Sequence, residues 1–420
     1  MDYRIFPPDE ILETTVLLPM SKSIAAREMI IDRIAGKTPC DTDNRNLCDD
    51  LRNLRRILNA PLEGTVDVGA SGTAMRFLTA LCAATPGATV RLTGDDSLRA
   101  RPVGPLVDAL RALGADIEYA TREGFPPLDI RGRRLDGGEV RLDVSASSQY
   151  ASALMLIAPT MQNGLTIRLE GRSELSPYIS MTAAVMNRCG VVAECDPLCI
   201  KVQAGRYSNA TATAEPDWSA ATFWYEIAAL TAGWVTLPGL SADSLQGDRG
   251  VADLFSCLGV VTEFTDEGAE LSANPDLYGR LDVDLSGMPD AVPAVAVTAC
   301  MAGIPFVLRG VEALRHKECD RLAALRDELA KVGVILTIEN YDSELRWDGA
   351  RMPVRALPVF DSHGDHRMAM ALAPVAVFVP GIVVRHAETV SKSYPSFWRD
   401  LENAGFRLAD PSEPIPQPEQ

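Results

Sequence analysis

One pattern recurs six times along the chain, and this repetition restricts the folds that the chain can adopt. In each copy a short polar motif precedes an apolar helical stretch, a glycine and a run of residues that favours β-strands. A helix that is apolar on every side must be buried, but its first backbone N–H groups still need partners. Helix N-termini of this kind bind anions. The six motifs begin at Ser21-Lys22-Ser23, Ser71-Gly72-Thr73, Ser147-Ser148-Gln149, Asp217-Trp218-Ser219, Pro289-Asp290-Ala291 and Gly364-Asp365-His366-Arg367.

A second repeat, an amphipathic helix that ends at a glycine or, in the first copy, at an asparagine, alternates with the first. An amphipathic helix covers a sheet from outside, whereas an apolar helix is enclosed. We therefore predict an α/β fold with two domains, each made of three βαβαββ-type units around buried parallel helices, an inside-out α/β barrel. Apolar residues at helical spacing predict the amphipathic helices over 49–58, 106–113, 182–189, 251–258, 322–332 and 397–404.

The boundary between the two domains is predicted close to residue 214, because residues 208–214 are small and polar. This division places residues 21–214 in an N-terminal domain and residues 215–420 in a C-terminal domain. A chain of 420 residues is long for a single core, which agrees with two domains. Residues 410–420 are rich in proline and acidic side chains and are predicted to form a disordered tail.

The net charge of −17 narrows the classes of ligand. Broad binding to nucleic acid or to an anionic membrane needs a basic surface, so neither is expected. The N-terminus lacks the pattern of a signal peptide, and proline and glycine interrupt the most apolar windows, 291–308 and 368–384. Nine cysteines without CxxC spacing indicate reduced thiols. We therefore expect a cytoplasmic protein.

Basic residues accompany the repeated motifs and indicate a polyanionic small-molecule ligand. Lys22 lies between two serines, a set of donors suited to phosphate. Arg76 and Arg367 lie within or at the start of apolar helices, where an unpaired guanidinium is costly. For any one such arginine, a structural ion pair is as good an explanation as a ligand-binding site. The whole group of basic residues favours a ligand-binding site. The group consists of Lys22, Arg27, Arg76, Arg101, Lys317, Arg321, Arg367 and Lys392.

Some of the other polar residues also have structural explanations. Asp290, taken alone, is better explained as a helix cap. The charged run 317–321 opens an amphipathic helix, where such runs are usually solvated. His363 and the Asp365-His366 pair form half of a metal site that nothing completes, so neither a metal nor a cofactor is expected. The absence of a Gly-x-x-x-x-Gly-Lys loop and of a Gly-x-Ser-x-Gly elbow argues against most nucleotide hydrolases and against an α/β-hydrolase.

In this order the motifs resemble the 5-enolpyruvylshikimate-3-phosphate synthase family. The resemblance covers nearly the whole chain, and six motifs in the same order make it specific. It is strongest at Leu18-Pro19-Met20-Ser21-Lys22-Ser23, Gly72-Thr73-Ala74-Met75-Arg76, Arg101-Pro102-Val103-Gly104, Ser147-Ser148-Gln149, Lys317-Glu318-Cys319-Asp320-Arg321 and Asp365-His366-Arg367-Met368-Ala369-Met370.

The resemblance implies a transferase of the shikimate pathway, which leads to chorismate and the aromatic amino acids. Such an enzyme transfers the enolpyruvyl group of phosphoenolpyruvate to the 5-hydroxyl of shikimate 3-phosphate and releases phosphate. The resemblance further implies a monomer with its active site in a cleft between the two domains. It also assigns residues 1–20 to the C-terminal domain.

Roles for individual residues follow from the resemblance, position by position. Asp290 is expected to be the base toward the 5-hydroxyl, and Lys22 with Glu318 to transfer the proton at the enol methylene. The residues expected to bind shikimate 3-phosphate are Lys22, Ser23, Arg27, Ser147, Ser148, Gln149, Asp290 and Lys317. Those expected around phosphoenolpyruvate are Lys22, Gly72, Arg101, Gln149, Arg321, Arg367 and Lys392.

The sequence departs from the family's pattern at three positions. Met20 replaces a glycine, and Ala70 and Ala313 replace asparagines, so two expected amide side chains are missing. Gly72 is retained, which favours sensitivity to glyphosate, whereas Ala70 weakens that expectation. A substrate-binding serine is expected within residues 173–178, but the sequence does not identify which one.

Two alternative functions stay open at this point. The UDP-N-acetylglucosamine enolpyruvyl transferases share the fold and the donor, but they have a cysteine in the loop that corresponds to residues 94–102 and an asparagine in place of Ser23. A non-catalytic anion-binding relative is consistent with Met20, Ala70 and Ala313, although the many retained cations argue against it. A nucleic-acid binder is least favoured, because the chain is acidic and only 6% aromatic.

Overall fold

The computed structural model describes residues 1–37, 47–171, 174–208, 214–274, 279–354 and 356–412. Its helices are α1 (Lys22–Ile34), α2 (Asp49–Leu58), α3 (Gly72–Ala84), α4 (Asp96–Arg99), α5 (Gly104–Ala112), α6 (Gln149–Ile157), α7 (Pro177–Arg188), α8 (Trp218–Thr231), α9 (Val251–Ser256), α10 (Val292–Ala302), α11 (Arg321–Ala330), α12 (His366–Leu372) and α13 (Phe397–Asn403). Short 3-10 helices cover Ala158–Thr160, Gly247–Gly250, Glu312–His316, Ala373–Val377 and Ala387–Lys392.

The strands are short, between three and six residues. They are β1 (Tyr3–Phe6), β2 (Glu13–Thr15), β3 (Glu63–Asp67), β4 (Thr89–Thr93), β5 (Asp116–Tyr119), β6 (Leu128–Arg131), β7 (Gly138–Asp143), β8 (Leu165–Glu170), β9 (Ala193–Asp196), β10 (Cys199–Val202), β11 (Trp234–Pro238), β12 (Val260–Thr265), β13 (Gly268–Ala273), β14 (Leu281–Asp284), β15 (Phe306–Arg309), β16 (Thr337–Glu339), β17 (Glu344–Trp347), β18 (Val359–Asp361), β19 (Ile382–Arg385) and β20 (Arg407–Ala409).

Contacts divide the chain into two compact units. The N-terminal unit consists of Met20–Ala214 and Leu245–Gly247. The C-terminal unit consists of Met1–Pro19, Glu215–Ser244 and Asp248–Gln420. Most of the segment 208–214, where the sequence places the boundary, lies outside the described residues. Each unit has its own hydrophobic core.

Five four-stranded sheets share one topology in the part of the chain that the structure describes. In the order β3-β4-β6-β5, the first pair is parallel, and β6 is antiparallel to both β4 and β5. The sheets β7-β8-β10-β9 and β14-β15-β17-β16 repeat this order. In these three sheets one helix, α3, α6 or α10, lies between the two parallel strands, as a crossover connection requires. The repeated sequence pattern therefore corresponds to a repeated βαβαββ element.

The N-terminal segment completes the remaining two sheets. Strand β2 is the edge strand of the sheet β2-β11-β13-β12 and lies parallel to β11. In the sheets β3-β4-β6-β5, β7-β8-β10-β9 and β14-β15-β17-β16, the first strand of the same repeat takes this position. Strand β1 lies between β19 and β20 and is antiparallel to both. Residues 1–19 thus supply one strand to each of two repeats of the C-terminal unit, which explains why they group with it.

Each unit contains a set of three largely buried helices. Helices α1, α3 and α6 contact one another, as do α8, α10 and α12. Every residue of α10 except Ala302 is buried, because its sequence has no polar side chain besides Thr298. Helix α12 ends at Leu372, and the chain continues from Ala373 as a 3-10 helix. Pro374 explains the change, since it has no N–H to continue the α-helical ladder.

The predicted amphipathic helices are confirmed as α2, α5, α7, α9, α11 and α13. The predicted bounds of α2 are those observed, whereas α7 begins five residues before the predicted start at Thr182. Pro177 accounts for that earlier start, because proline is favoured in the first turn of a helix. The eight cysteines in the described ranges are free thiols. No helix in these ranges combines the length and apolarity needed to cross a membrane.

One carboxyl group is buried in the core of the C-terminal unit. Glu226 of α8 is fully buried, and neither of its side-chain oxygens has a hydrogen-bond partner among the described residues. Burial raises the pKa of Glu226 well above the ordinary 4.5. In the unfolded chain the same carboxyl ionises near its ordinary pKa. Below pH 4.5 Glu226 therefore does not reduce the free energy of unfolding. As the pH rises from there toward the raised pKa of the folded state, the free energy of unfolding falls.

We predict that Glu226→Met stabilises the protein increasingly as the pH rises from 5 to 9. Removal of the buried carboxyl abolishes a cost of about 1.4 kcal/mol for each pH unit between the two pKa values. Thermal unfolding at several pH values measures this gain. Glu402→Met, at an exposed position of α13, is the control and should show no such trend. A stability difference between Glu226→Met and the parent that does not change with pH would contradict the prediction.

Candidate active site

The start of α1 brings Lys22 next to a carboxylate within the N-terminal unit. The Ser21 side chain accepts a hydrogen bond from the Ile24 backbone N–H and so caps the helix. Lys22 Nζ lies 3.1 Å from Asp50 Oδ2 in α2, and both side chains are mostly buried. Ser23, the third residue of the motif, is partly exposed beside them. The capping serine orients the first turn, which places Lys22 and Ser23 at the helix N-terminus.

Arg27, one turn farther along α1, is buried among neutral groups. Its Nε donates to Thr182 Oγ1 at 2.7 Å, and Nη1 donates to the Ser23 carbonyl at 2.7 Å. Nη2 donates to Ser152 Oγ at 3.2 Å and to the Tyr178 carbonyl at 3.3 Å. Burial lowers the pKa of Arg27 to about 10. A buried guanidinium with neutral partners fits a site for an anionic ligand, because the anion offsets the cost of burial.

Gly72 provides space for two arginines at the start of α3. A Cβ atom on Gly72 would lie 2.5 Å from Arg76 Nη1 and 2.9 Å from Arg101 Nη1. Arg76 Nη1 donates to the Gly72 carbonyl at 2.9 Å. The loop that carries Arg101 is fixed at Pro102, whose carbonyl accepts a hydrogen bond from the Tyr150 hydroxyl at 2.7 Å. Gly72 and Arg101, both predicted near phosphoenolpyruvate, are therefore neighbours in the structure.

The third motif of the N-terminal unit lies at the start of α6. Ser148 is the residue that precedes the first turn, and Ser147 Oγ accepts a hydrogen bond from the Gln149 N–H at 3.3 Å. Gln149 Nε2 donates to Thr73 Oγ1 at 2.9 Å. This bond joins the N-terminus of α6 to that of α3. The three residues are partly exposed. The candidate serine Ser173 lies outside the described residues.

Arg321 is the centre of a charged cluster in the C-terminal unit. It is 1% exposed and forms ion pairs with three carboxylates. Nε lies 2.7 Å from Asp365 Oδ2, Nη1 lies 2.9 Å from Asp290 Oδ1, and Nη2 lies 2.9 Å from Glu318 Oε2. Burial lowers the pKa of Arg321, but the three carboxylates outweigh it and raise the pKa well above the ordinary value. Arg321 therefore keeps its charge in the buried cluster.

Asp290 lies among three cations. Besides Arg321, it pairs with Arg367 Nη2 through Oδ2 at 2.9 Å and with Lys317 Nζ through Oδ1 at 3.5 Å. Burial raises the pKa of Asp290, but Arg367, Lys317 and Arg321 together hold it well below the ordinary 3.8. Asp290 does not cap α10, because the residue at the N-cap is Ala291. In this state the Asp290 carboxylate is a weak base.

Glu318 and Asp365 complete the cluster. Glu318 Oε1 accepts from Lys392 Nζ at 2.9 Å, so this carboxylate connects Lys392 to Arg321. Asp365 is fully buried and accepts a hydrogen bond from the Arg367 N–H at 2.9 Å, which caps α12. The cluster thus combines two partly exposed carboxylates, Asp290 and Glu318, with four cations. Such an arrangement can bind anionic groups and transfer protons beside them.

Three acidic residues without a role predicted from the sequence contribute to these clusters. Asp50 pairs with Lys22, Asp365 holds Arg321, and Asp248 influences Asp290 electrostatically. Asp365 lies in a recognised motif and could have been identified as a helix cap. The other two are brought near their partners only by the fold. His363 Nε2 lies within hydrogen-bond distance of Glu328 Oε1, at 2.9 Å.

Comparisons with known proteins agree with these motifs. The model of the EPSP synthase (3-phosphoshikimate 1-carboxyvinyltransferase) family matches residues 56–401. A 3-phosphoshikimate 1-carboxyvinyltransferase of Bacteroides fragilis is 43% identical over 410 residues, which cover 97% of this chain and 99% of the relative. Another, of Methanoculleus marisnigri, is 35% identical over 346 residues, which cover 82% of this chain and 80% of the relative.

A solved structure shows the same fold. EPSP synthase of Acinetobacter baumannii superposes with a TM-score of 0.74 at 22% sequence identity and covers 97% of this chain and 100% of that chain. At this identity the likeness supports the fold, whereas the family model and the curated relatives support the family. The chain belongs to the EPSP synthase (3-phosphoshikimate 1-carboxyvinyltransferase) family.

Proposed function

We propose that this chain transfers the enolpyruvyl group of phosphoenolpyruvate to the 5-hydroxyl of shikimate 3-phosphate and releases phosphate. Membership of the family supports this reaction. The observation that carries the proposal is the convergence of Lys317, Arg321 and Arg367 on Asp290. The substrates bring two phosphates and two carboxylates together, and cations that are already positioned offset their repulsion.

The binding roles of individual residues are part of this proposal. In the N-terminal unit, Arg27 supports the binding of an anionic substrate, because the hydrogen-bond partners of this buried guanidinium are neutral groups. The residues that we propose to bind shikimate 3-phosphate are Lys22, Ser23, Arg27, Ser147, Ser148, Gln149, Asp290 and Lys317. The residues that we propose to surround phosphoenolpyruvate are Lys22, Gly72, Arg101, Gln149, Arg321, Arg367 and Lys392.

The chemistry requires a base and an acid at adjacent reacting atoms. Asp290 takes the proton of the 5-hydroxyl while the hydroxyl oxygen bonds to C2 of phosphoenolpyruvate. Lys22 or Glu318 protonates C3 in the same step. Loss of a proton from C3 and of phosphate from C2 then restores the double bond. Asp290 is a weak base while three cations surround it. Substrate anions that bind to these cations would share their charge and raise the basicity of Asp290.

The finer architecture is also a proposal. We infer that residues 21–214 form one domain and that residues 1–20 with 215–420 form the other, each a ring of three βαβαββ units around its buried helices. The common strand order of the five described sheets supports this inside-out α/β barrel. The mutual contacts within the two sets of apolar helices support it as well.

The reaction is tested by the release of phosphate from phosphoenolpyruvate with shikimate 3-phosphate as acceptor. We expect release with this acceptor and none with UDP-N-acetylglucosamine, which serves as the control. Release with the sugar nucleotide alone would assign the chain to the alternative transferase. Release with neither acceptor would leave the anion-binding relative as the better explanation.

We predict that Asp290→Asn lowers kcat by about 100-fold or more, since the amide cannot take a proton. Calorimetry should show that the Kd for shikimate 3-phosphate changes by less than about tenfold, the value of one hydrogen bond. Asp284→Asn, at an exposed position of β14, is the matched control and should keep full activity. Normal turnover of Asp290→Asn would remove Asp290 from the mechanism.

We predict that Gly72→Ala raises the KM for phosphoenolpyruvate about tenfold or more, because the new methyl group would crowd Arg76 and Arg101 and disturb the proposed charge-assisted contact of Arg101 with this substrate. Initial-rate kinetics measure this effect. Gly104→Ala is the control, since its Cβ would meet no heavy atom closer than 3.5 Å. An unchanged KM for phosphoenolpyruvate in Gly72→Ala would contradict the prediction.

A further inference from the structure

A buried aspartate that the proposed mechanism does not use lies near Asp290. Asp248 belongs to the turn before α9 and is 5% exposed. Ser219, in the first turn of α8, donates a hydrogen bond to Oδ2 of Asp248. The other oxygen, Oδ1, has no hydrogen-bond partner among the described residues. The N-terminus of α8 also favours a negative charge at this position.

The turn of Asp248 packs against the segment that carries Asp290. A Cβ atom on Gly250 would lie 2.8 Å from Met288 Sδ, two residues before Asp290. The charged groups that face Asp248 are Asp290, Arg367 and Asp217, the N-cap of α8. Burial and then repulsion by Asp290 raise the pKa of Asp248 to about 6, although Ser219 and Arg367 lower it.

This arrangement is unfavourable for stability alone. A carboxylate with one unpaired oxygen close to two other carboxylates is costly to bury. An asparagine would keep a side chain of the same shape without the negative charge. Local features that cost stability are expected where function requires them. The charge of Asp248 therefore needs an explanation in the function of its neighbours.

We propose that Asp248 is a positioning residue whose negative charge restores basicity to Asp290 and so supports deprotonation of the acceptor hydroxyl. Three cations weaken Asp290 as a base, and a nearby anion counteracts them. Asp248 acts through Asp290 and Arg367 and does not touch the substrates. The inference rests on the proposed function, in which Asp290 is the base.

Ionisation of Asp248 makes the proposed reaction depend on pH. Above about pH 6 Asp248 is ionised and Asp290 is the stronger base, whereas below this pH Asp248 is protonated and the rate falls. Substrate phosphates also titrate near pH 6. The acid limb of the parent enzyme is therefore not diagnostic. Differences between variants assayed with the same substrates are diagnostic.

The test compares profiles of kcat/KM and kcat from pH 5 to 9 for the parent, Asp248→Asn and Ser219→Ala. In Asp248→Asn we expect kcat at pH 7.5 to fall about tenfold, with both KM values within about threefold and a shallower acid limb. In Ser219→Ala we expect the acid limb to move upward by about one pH unit, because a hydrogen bond to the Asp248 carboxylate is lost. Asp253→Asn removes an exposed charge from α9 and should match the parent.

Each outcome supports or overturns the inference. An unchanged kcat and profile in Asp248→Asn would overturn it, as would an acid limb that stays in place in Ser219→Ala. If Asp248→Asn does not fold, judged by its thermal unfolding, the shift in Ser219→Ala alone decides. Failure of the parent to release phosphate with shikimate 3-phosphate would instead reject the proposed function. The two failures are thus distinguishable.

Discussion

The rest of the structure depends on one requirement: the backbone N–H groups at the N-termini of the buried helices need hydrogen-bond acceptors. Each of these helices is largely buried within its unit, and its first N–H groups have no partners inside the helix. The side chains of Ser21, Ser71, Asp217 and Asp365 accept hydrogen bonds from the first turns of α1, α3, α8 and α12. Polar residues are therefore required at these helix ends even without a ligand. The proposed binding groups are concentrated at the same positions.

Asp365 shows how a structural requirement and the proposed binding site share one residue. Its Oδ1 accepts the Arg367 N–H at the start of α12, and its Oδ2 pairs with Arg321. Arg321 in turn holds Asp290 and Glu318. Removal of one partner from a buried ion pair typically costs about 3–5 kcal/mol, because the other charge is left uncompensated. Effects of mutations within this cluster are therefore not additive.

Features encoded locally could be predicted from the sequence. The apolar and amphipathic helices follow from periodicity over a few turns, and α2 lies at the predicted residues. Partners that depend on distant chain segments could not be predicted from the residues alone. Strand β1 pairs with β19, more than 370 residues away, and no local pattern specifies this. The pairing of Lys22 with Asp50 and the proximity of Asp248 to Asp290 also arise only after folding.

The cations around Asp290 have opposite effects before and after substrates bind. In the absence of substrates Lys317, Arg321 and Arg367 compensate the carboxylate of Asp290, which stabilises the buried cluster and makes Asp290 a weak base. The same cations are the proposed ligands of anionic substrates. Substrate binding then draws positive charge away from Asp290, and its basicity rises when an acceptor hydroxyl is present. In the proposed mechanism, substrate binding and proton transfer are thereby coupled through charge.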